Sequence, residues 1–327
     1  MKSDKIIIGT RGSKLALWQA EWVRSELIKL YPDLKIELSK IKTTGDKILD
    51  VPLAKIGGKG LFVKEIEEAL LRCEIDLAVH SMKDMPTDLP EGLHIAAVCK
   101  REDPRDAFIS RISNSGFKIP NFGSLPYGAM VGTSSLRRSC QILSVRPDLK
   151  IEQLRGNLDT RLRKLDEGQF DAVILATAGV KRLGLYNRIT EILSPEISLP
   201  AIGQGAIGVE CRTGDNFIND LITPLNHPDT FTCITAERAF LKKLEGGCQV
   251  PIAAYARIEE GGKLIMDGLV GSVSGEKMIR GHAEGKSVEA EYMGIAMAED
   301  ILSRGAKEIL DDIYKRPVPG INGEIIS

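Results

Sequence analysis

Residues 172–182 read AVILATAGVKR. The apolar run predicts a buried strand, and the Ala, Thr and Gly that follow it predict a tight turn leading into a helix. The same order recurs at 129–138, AMVGTSSLRR, where an apolar run again gives way to small residues. Strands that alternate with helices in this way predict α/β layers over most of the chain.

The N-terminal part continues this alternation. We predict a strand over 5–8, a helix over 15–31, a second helix over 61–73 and a buried strand over 76–80. Between them, the stretch 43–60 (TTGDKILDVPLAKIGGKG) is rich in Gly, Asp and Lys and has little periodicity. A loop of that length is more often functional than merely connective, so we expect it to be mobile.

Two breaks divide the remainder of the chain. Pro104 and the polar stretch near residue 112 indicate a crossover into a second α/β unit, which runs to about residue 198. A further apolar strand, IGVEC, follows at 207–211. After Pro224 comes a helix, then short strands separated by glycine turns, then a helix over about 288–314. This last part is predicted to form a separate, smaller α+β domain.

Composition excludes several classes of function. A chain of 327 residues can hold two domains of about 150 residues each, or three smaller ones. Its net charge of -1 argues against broad nucleic-acid binding, and no apolar run approaches the roughly 18 residues of a membrane helix. The six cysteines form no CxxC pair and the four histidines are scattered, so we expect no metal site. The composition and the lack of a secretory segment predict a cytoplasmic protein.

Five arginines fall at turn-like positions within one stretch of this nearly neutral chain: Arg137, Arg138, Arg155, Arg161 and Arg182. Small residues beside them allow backbone N–H groups and a helix N-terminus to approach an anion. Guanidinium groups pair with carboxylate or phosphate oxygens, often bidentately. The five together predict a ligand with several negative groups, although any one of them alone could belong to an ordinary surface ion pair.

Lys83 and Asp84 follow the strand predicted over 76–80, at its carboxyl end. Ligands bind at that edge in open α/β sheets. An acid beside a cation in a partly desolvated cleft can stabilise positive charge or move a proton, whereas the alternative is a solvated pair in a turn before proline. The turn GTRGSK, which contains Arg11, allows close backbone approach. GGKG at 57–60 lacks the spacing of a nucleotide P-loop.

Cys248 lies in EGGCQVP, between glycines and a proline. Such a loop offers an exposed thiol, which at neutral pH is partly thiolate and nucleophilic. The alternative is a small buried apolar residue. No histidine accompanies Cys248 in sequence, so a Cys-His protease has no support.

Nine motifs follow one another along the chain: GTRGSKLALWQ, GGKGLFVKEIE, AVHSMKDMP, REDPRDAF, VGTSSLRR, RGNLDTRL, ATAGVKRLG, LPAIGQGAIGVEC and EGGCQVP. In this order they resemble the porphobilinogen deaminase (hydroxymethylbilane synthase) family over residues 5–255. The resemblance implies a transferase that condenses four porphobilinogen molecules, with loss of ammonia, onto a covalent primer and releases a linear tetrapyrrole by hydrolysis. Each pyrrole carries an acetate and a propionate, which gives the arginines a purpose.

The resemblance also implies a dipyrromethane cofactor bound by a thioether to Cys248, and a catalytic carboxylate at Asp84. Asp84 would bind pyrrole N–H groups and stabilise the cationic azafulvene left when ammonia departs. Positions that would bind the cofactor besides Cys248 are Ser81, Lys83, Thr133, Ser134, Ser135, Arg137, Arg138, Arg155, Gly156 and Asn157. Positions that would bind substrate or line the hinge are Arg11, Gln19, Phe62, Arg161, Arg182 and Gln204. Asp46, Lys55 and Lys59 would belong to a lid.

The fold that the resemblance implies has three domains. Two doubly wound α/β lobes similar to those of periplasmic binding proteins would comprise residues 1–103 with 200–223 and residues 104–199. The smaller α+β domain, 224–327, would carry the Cys248 loop. We expect a monomer that binds a small-molecule substrate and neither nucleic acid nor membrane. The competing interpretation is a two-lobed binding protein for a polycarboxylate solute, which explains the lobes and arginines but not the thiol.

Overall fold

The computed structural model describes residues 5–47, 60, 62–111, 116, 119–246 and 250–315, with backbone alone at 46 and 47. Within these residues the strands are β1 (Lys5–Thr10), β2 (Lys35–Lys40), β3 (Leu77–Ser81), β4 (Leu93–Val98), β5 (Asp106–Ser110), β6 (Met130–Gly132), β7 (Lys150–Glu152), β8 (Ala172–Ala176), β9 (Glu191–Ile192), β10 (Ile207–Arg212), β11 (Ile252–Ile258), β12 (Lys263–Gly271) and β13 (Met278–Lys286). The α-helices are α1 (Lys14–Leu30), α2 (Thr44–Lys47), α3 (Lys64–Leu71), α4 (Leu136–Val145), α5 (Leu158–Asp166), α6 (Thr177–Arg182), α7 (Asn216–Ile222), α8 (Pro228–Lys243), α9 (Ala290–Ile301) and α10 (Lys307–Lys315).

The described strands form two five-stranded sheets of matching design. The first has the order β2-β1-β3-β10-β4 and the second β7-β6-β8-β5-β9. In each, three strands run parallel and a fourth, β10 or β5, runs antiparallel to both of its neighbours. The antiparallel strand is the one on which the chain arrives from the other sheet. We call each sheet with its helices a lobe, and the α/β fold predicted for both is confirmed.

Helix α1 shows why these residues form the layers of the first lobe. The Ser13 hydroxyl caps its N-terminus by accepting from the Ala16 N–H at 3.3 Å. Ala20, Val23 and Leu27 then recur at helical spacing and are fully buried against the first sheet. Because their burial removes apolar surface from water, the helix is held flat on the strands and its N-terminus is presented at the sheet's edge.

The third sheet, β11-β12-β13, is antiparallel and packs against α8 and α9. Phe240 of α8 lies fully buried in its core. The two helices approach closely at Gly294, where a Cβ would overlap the Ala236 carbonyl oxygen. The predicted helix over 288–314 is wrong in one respect. It is two helices, because Gly305 adopts a φ of +101° and breaks the run.

The chain crosses between the lobes twice, at 99–105 and at 193–206. The Glu237 carboxylate of α8 ties both crossings to the third sheet. It accepts from Arg101 Nη1 at 2.5 Å, from the Gly203 N–H at 2.7 Å and from the Ala256 N–H at 2.8 Å. The crossings pack so closely that a Cβ at Gly205 would overlap the Glu102 carbonyl oxygen. No helix in the described part of the chain has the length and apolar character of a membrane span.

Candidate active site

A cleft of about 880 Å³ lies between the two lobes. The first lobe contributes the turn before α1 and the residues that follow β3. The second contributes the starts of α4 and α5 and the segment 175–183. Since these are carboxyl ends of strands and N-termini of helices, backbone N–H groups face the cleft from both sides.

Lys83 and Asp84 line the cleft, as the sequence predicts. They lie on a short 3-10 turn, Met82–Asp84, that follows β3 directly. Burial lowers the pKa of Lys83 to about 8, while the neighbouring Asp84 acts in the opposite direction and Arg138 adds to the lowering. Asp84 therefore lies in a partly buried environment that is rich in cationic side chains.

Four of the five predicted arginines line the cleft: Arg138, Arg155, Arg161 and Arg182. Their turn-like placement was wrong for most of the group, because only Arg155 lies outside a helix. Burial, with Arg138 close by, lowers the pKa of Arg161 to about 10, and burial lowers that of Arg182 to about 10. Both remain charged at neutral pH, so the cleft holds a row of fixed cations.

Arg137 lies behind this row and does not line the cleft. Its Nη1 donates to Asp106 Oδ2 at 2.8 Å and to the Leu199 carbonyl at 2.6 Å, and the side chain is buried. Arg138 shares the same acid, donating to Asp106 Oδ1 from Nη2 at 2.7 Å and from Nε at 3.1 Å. Asp106 thus holds both guanidinium groups, and Arg138 alone of the two reaches the cleft.

Aromatic rings support two of the cleft arginines. The Arg11 guanidinium carbon lies 4.2 Å from the centre of the Phe62 ring, and both residues line the cleft. Arg182 lies 5.7 Å from the Trp18 ring and donates to the Gly205 carbonyl at 2.7 Å. Sequence reasoning assigned no site role to Trp18, which lies within the motif GTRGSKLALWQ. Stacking fixes the direction of the guanidinium groups without neutralising them.

The other predicted residues divide into three groups. Ser81, Ser134, Gly156 and Asn157 also line the cleft. Gln19, Thr133, Ser135 and Gln204 lie behind it: Gln19 donates to the Ser81 hydroxyl at 2.8 Å, Thr133 accepts from the Ser135 N–H at 3.2 Å, and Gln204 donates to Asp106 at 2.9 Å. Cys248, Lys55, Lys59 and the Asp46 side chain lie outside the described residues.

Sequence reasoning missed four further charged residues of the cleft: Lys14, Lys42, Asp159 and Lys164. With them, the described lining holds nine cationic side chains and two acidic ones, Asp84 and Asp159. The signal was available for two of the four, since Lys14 and Asp159 belong to the motifs GTRGSK and RGNLDTR. In a chain whose net charge is -1, this excess indicates a site for a polyanion.

The described cysteines offer no competing nucleophile in the cleft. Burial raises the pKa of Cys99, Cys140 and Cys233 to about 12 and that of Cys211 to about 11. Cys73 is exposed at the end of α3 and does not line the cleft. No cluster of potential metal ligands occurs among the residues that the structure describes.

Comparison with known proteins assigns the chain to a family. Residues 6–220 match the family model "Porphobilinogen deaminase, dipyromethane cofactor binding domain", and residues 231–303 match "Porphobilinogen deaminase, C-terminal domain". The chain belongs to the porphobilinogen deaminase family. It is 57% identical to the porphobilinogen deaminase of Geobacter metallireducens, covering 97% of this chain and 98% of that protein. With the enzyme of Pelobacter propionicus it shares 54% identity over 97% of this chain and all of that protein.

Solved structures of binding proteins are more distant relatives in sequence. The methionine binding protein MetQ is 16% identical with a TM-score of 0.43, over 68% of this chain and 89% of that one. The sulphonate binding protein SsuA of Escherichia coli is 13% identical with a TM-score of 0.39, over 98% and 82%. These likenesses carry no information about the reaction of this porphobilinogen deaminase family member.

The cleft fits the dipyrromethane group that the family model names. Such a group brings acidic side chains and two pyrrole N–H donors. For acidic side chains the cleft lining offers fixed cations at Lys83, Arg138 and Arg155. For pyrrole N–H donors it offers an acceptor at Asp84. The Ser134 hydroxyl donates to the Leu154 carbonyl at 2.8 Å, so its oxygen lone pairs remain as acceptors at the same wall.

Proposed function

We propose that the chain is a hydroxymethylbilane synthase. It condenses four porphobilinogen molecules in turn, with loss of ammonia, onto a covalent dipyrromethane primer and then releases the linear tetrapyrrole by hydrolysis. The observation that carries this proposal is the cleft, in which Asp84 stands among nine cationic side chains. Family membership supports the same activity.

The cations answer an electrostatic requirement of the reaction. Every added pyrrole brings two carboxylates into one cleft. At a separation of about 6 Å and an effective dielectric near 20, each like-charge pair costs about 3 kcal/mol. Fixed guanidinium groups on both lobes offset this repulsion. Because Arg138 is anchored by Asp106 and Arg11 is stacked on Phe62, little reorganisation is needed when carboxylates arrive.

Asp84 is the catalytic carboxylate in this proposal. It accepts a hydrogen bond from the pyrrole N–H of porphobilinogen and stabilises the positive charge that develops as ammonia leaves. Its placement on the turn that follows β3 holds it at the floor of the cleft. Lys83 and Arg161, whose charges both interact with the Asp84 carboxylate, bind cofactor and substrate carboxylates beside the reacting atoms.

The dipyrromethane group, when bound, supplies the nucleophilic pyrrole carbon to which substrate is added. We assign its attachment to Cys248, its carboxylates to Lys83, Arg138 and Arg155, and backbone N–H contacts to Ser134, Gly156 and Asn157. Ser81 faces the same group from the first lobe, while Thr133, Ser135 and Arg137 support it from behind. To the arriving substrate we assign Arg11, Phe62, Arg161 and Arg182. Gln19 holds Ser81 in place through a hydrogen bond, and Gln204 does the same for Asp106.

The same proposal covers the organisation of the molecule. The first domain comprises residues 1–103 and 200–223, the second 104–199 and the third 224–327. The sheets support this division, since β10 joins the first sheet after the second has been completed. The lid assignment of Asp46, Lys55 and Lys59, a monomeric state and a cytoplasmic location stay predictions. Sedimentation of the purified protein tests the monomer.

Intact mass and ammonia release together test the function. The purified protein is expected to exceed its polypeptide mass by two pyrrole units, and Cys248→Ser is expected to lack them. Asp84→Asn should keep the adduct yet release ammonia from porphobilinogen at least about 100-fold more slowly, because a preorganised charge is lost. A protein that carries no adduct and binds porphobilinogen without releasing ammonia would instead be a binding protein for polycarboxylates.

A further inference from the structure

Asp159 is out of place in a cleft that binds anions. Apart from Asp84, it is the single acid among the described lining residues. Its carboxylate Oδ2 lies 2.7 Å from the Lys14 Nζ, and this ion pair runs from the first lobe to the second. Asp159 belongs to the first turn of α5, whereas Lys14 is the first residue of α1.

The position of Asp159 has an ordinary explanation, because an acid in the first turn of a helix is stabilised by the helix dipole. The position of Lys14 does not. A cation at a helix N-terminus is disfavoured by the same dipole, and the first turn of α1 contains no acid to compensate. The N-terminus of α1 and the Lys14 ammonium therefore both favour an anion at this point of the cleft.

The ion pair between Asp159 and Lys14 is weak. The side chains of Lys14 and Asp159 are 76% and 43% exposed, and exposed ion pairs contribute little to stability. The lobes also meet beside the pair through Leu15, which lies against Gly179 of α6. The ion pair can therefore open without separating the lobes, and a carboxylate from a ligand can replace Asp159.

We propose that Lys14 is a binding residue for carboxylates of the growing pyrrole chain, and that Asp159 occupies Lys14 until those carboxylates displace it. This rests on the function proposed above. Each condensation adds two carboxylates to the cleft, so displacement becomes more favourable as the chain lengthens. Asp159 then opposes retention of the longest chains, which promotes release of the product.

The proposal makes opposite predictions for the two partners. Lys14→Met removes the binding cation and should lower the share of enzyme that carries the longer chains. Asp159→Asn removes the competing anion and should raise that share and slow product release. Each change is expected to be about two- to fivefold, the size typical of an exposed charge pair. A purely structural ion pair would shift both variants in the same direction, because either substitution breaks it.

The experiment uses the holoenzyme with one to four equivalents of porphobilinogen, quenched rapidly and resolved by intact mass into complexes with one to four added units. Opposite shifts, with Lys14→Met/Asp159→Asn resembling Lys14→Met, support the proposal. Equal shifts or unchanged distributions overturn it. Lys164→Met, which removes a cleft lysine that lies on α5 and not at the start of α1, is the matched charge control. Wild-type enzyme that forms no such complexes would contradict the proposed function instead.

Discussion

Two buried acid sites, one in each lobe, behave in opposite ways. Asp106 of the second lobe is fully buried, and the pKa of its carboxyl is held well below the usual range. Glu67 of the first lobe is also buried, yet burial and the neighbouring Glu210 raise its pKa to about 7. Asp106 is the more deeply buried of the two, and burial alone would raise the pKa of a carboxyl group, so burial does not explain the difference.

The donors around each acid do explain it. Asp106 accepts from Arg137, Arg138, Gln204 and Ser198, the last from its hydroxyl at 2.8 Å. Two of these donors are cations, and their attraction and hydrogen bonds overcome the burial that alone would raise the pKa. Asp106 is therefore an anion that fixes the arginines of the cleft.

Glu67 and Glu210 meet a single titratable donor. His80 of β3 lies with Nε2 2.9 Å from Glu210 Oε2, and each glutamate has a buried Oε1 with no hydrogen-bond partner among the described residues. The groups that act electrostatically on Glu67 are Glu210 from β10 and His80 from β3. Arg238 of α8 interacts in turn with Glu210. Burial beside a second acid favours a proton retained on Glu67, so Glu67 titrates near neutral pH.

The largest effect is expected at the fully paired acid. Asp106→Asn leaves two buried guanidinium groups without their anion and should lower the free energy of unfolding by about 3–5 kcal/mol. The native pKa is below the unfolded one, so this stabilisation is present above the usual carboxyl pKa and lost as pH falls below it. Urea unfolding at pH 7 measures it. Asp103→Asn, which removes a partner of the more exposed Arg105, is the control, and equal losses would contradict the comparison.

The stability of the Glu67→Gln variant relative to wild type should depend on pH. A native pKa of about 7, raised from 4.5, means that wild-type stability is fully present below pH 4.5 and falls as pH rises through 7. The variant cannot ionise, so its stability relative to wild type should grow over that window by up to about 3 kcal/mol. Thermal unfolding at pH 5 and pH 8 provides the comparison. Glu68→Gln on the same helix should show no such gain, and a stability difference for Glu67→Gln that does not change with pH would refute the raised pKa of Glu67.

The smallest effect is expected from removing one neutral donor. Ser198→Ala takes one hydrogen bond from Asp106 and leaves both cations, so the loss should be about 1 kcal/mol. Ser144→Ala, whose hydroxyl donates only to the Gln141 carbonyl of its own helix, is the matched control. If Ser198→Ala lost as much unfolding free energy as Asp106→Asn, the Ser198 hydrogen bond, and not the two guanidinium charges, would be what stabilises the Asp106 carboxylate.

The sequence predicts the lobes well because periodicity is local. The apolar runs ending at Val131 and Ala176 lead into α4 and α6 as expected. The site is only partly predictable for the same reason. Which of two adjacent arginines faces the cleft depends on Asp106, which lies 31 residues before Arg137, and nothing in LRR separates them. The pairing of Lys14 with Asp159 joins residues that are still further apart in sequence, since they belong to helices of different lobes.

Two chain segments, 99–105 and 193–206, connect the lobes, and Glu237 binds to both. When two bodies are connected by two chain segments, the easiest relative motion is a rotation about an axis that passes through both segments. Arg101 in the first segment and Gly203 in the second both donate to the Glu237 carboxylate, so the two segments are expected to bend together. The third sheet, bonded to the same carboxylate through Ala256, sits at the axis, where displacement during rotation is least.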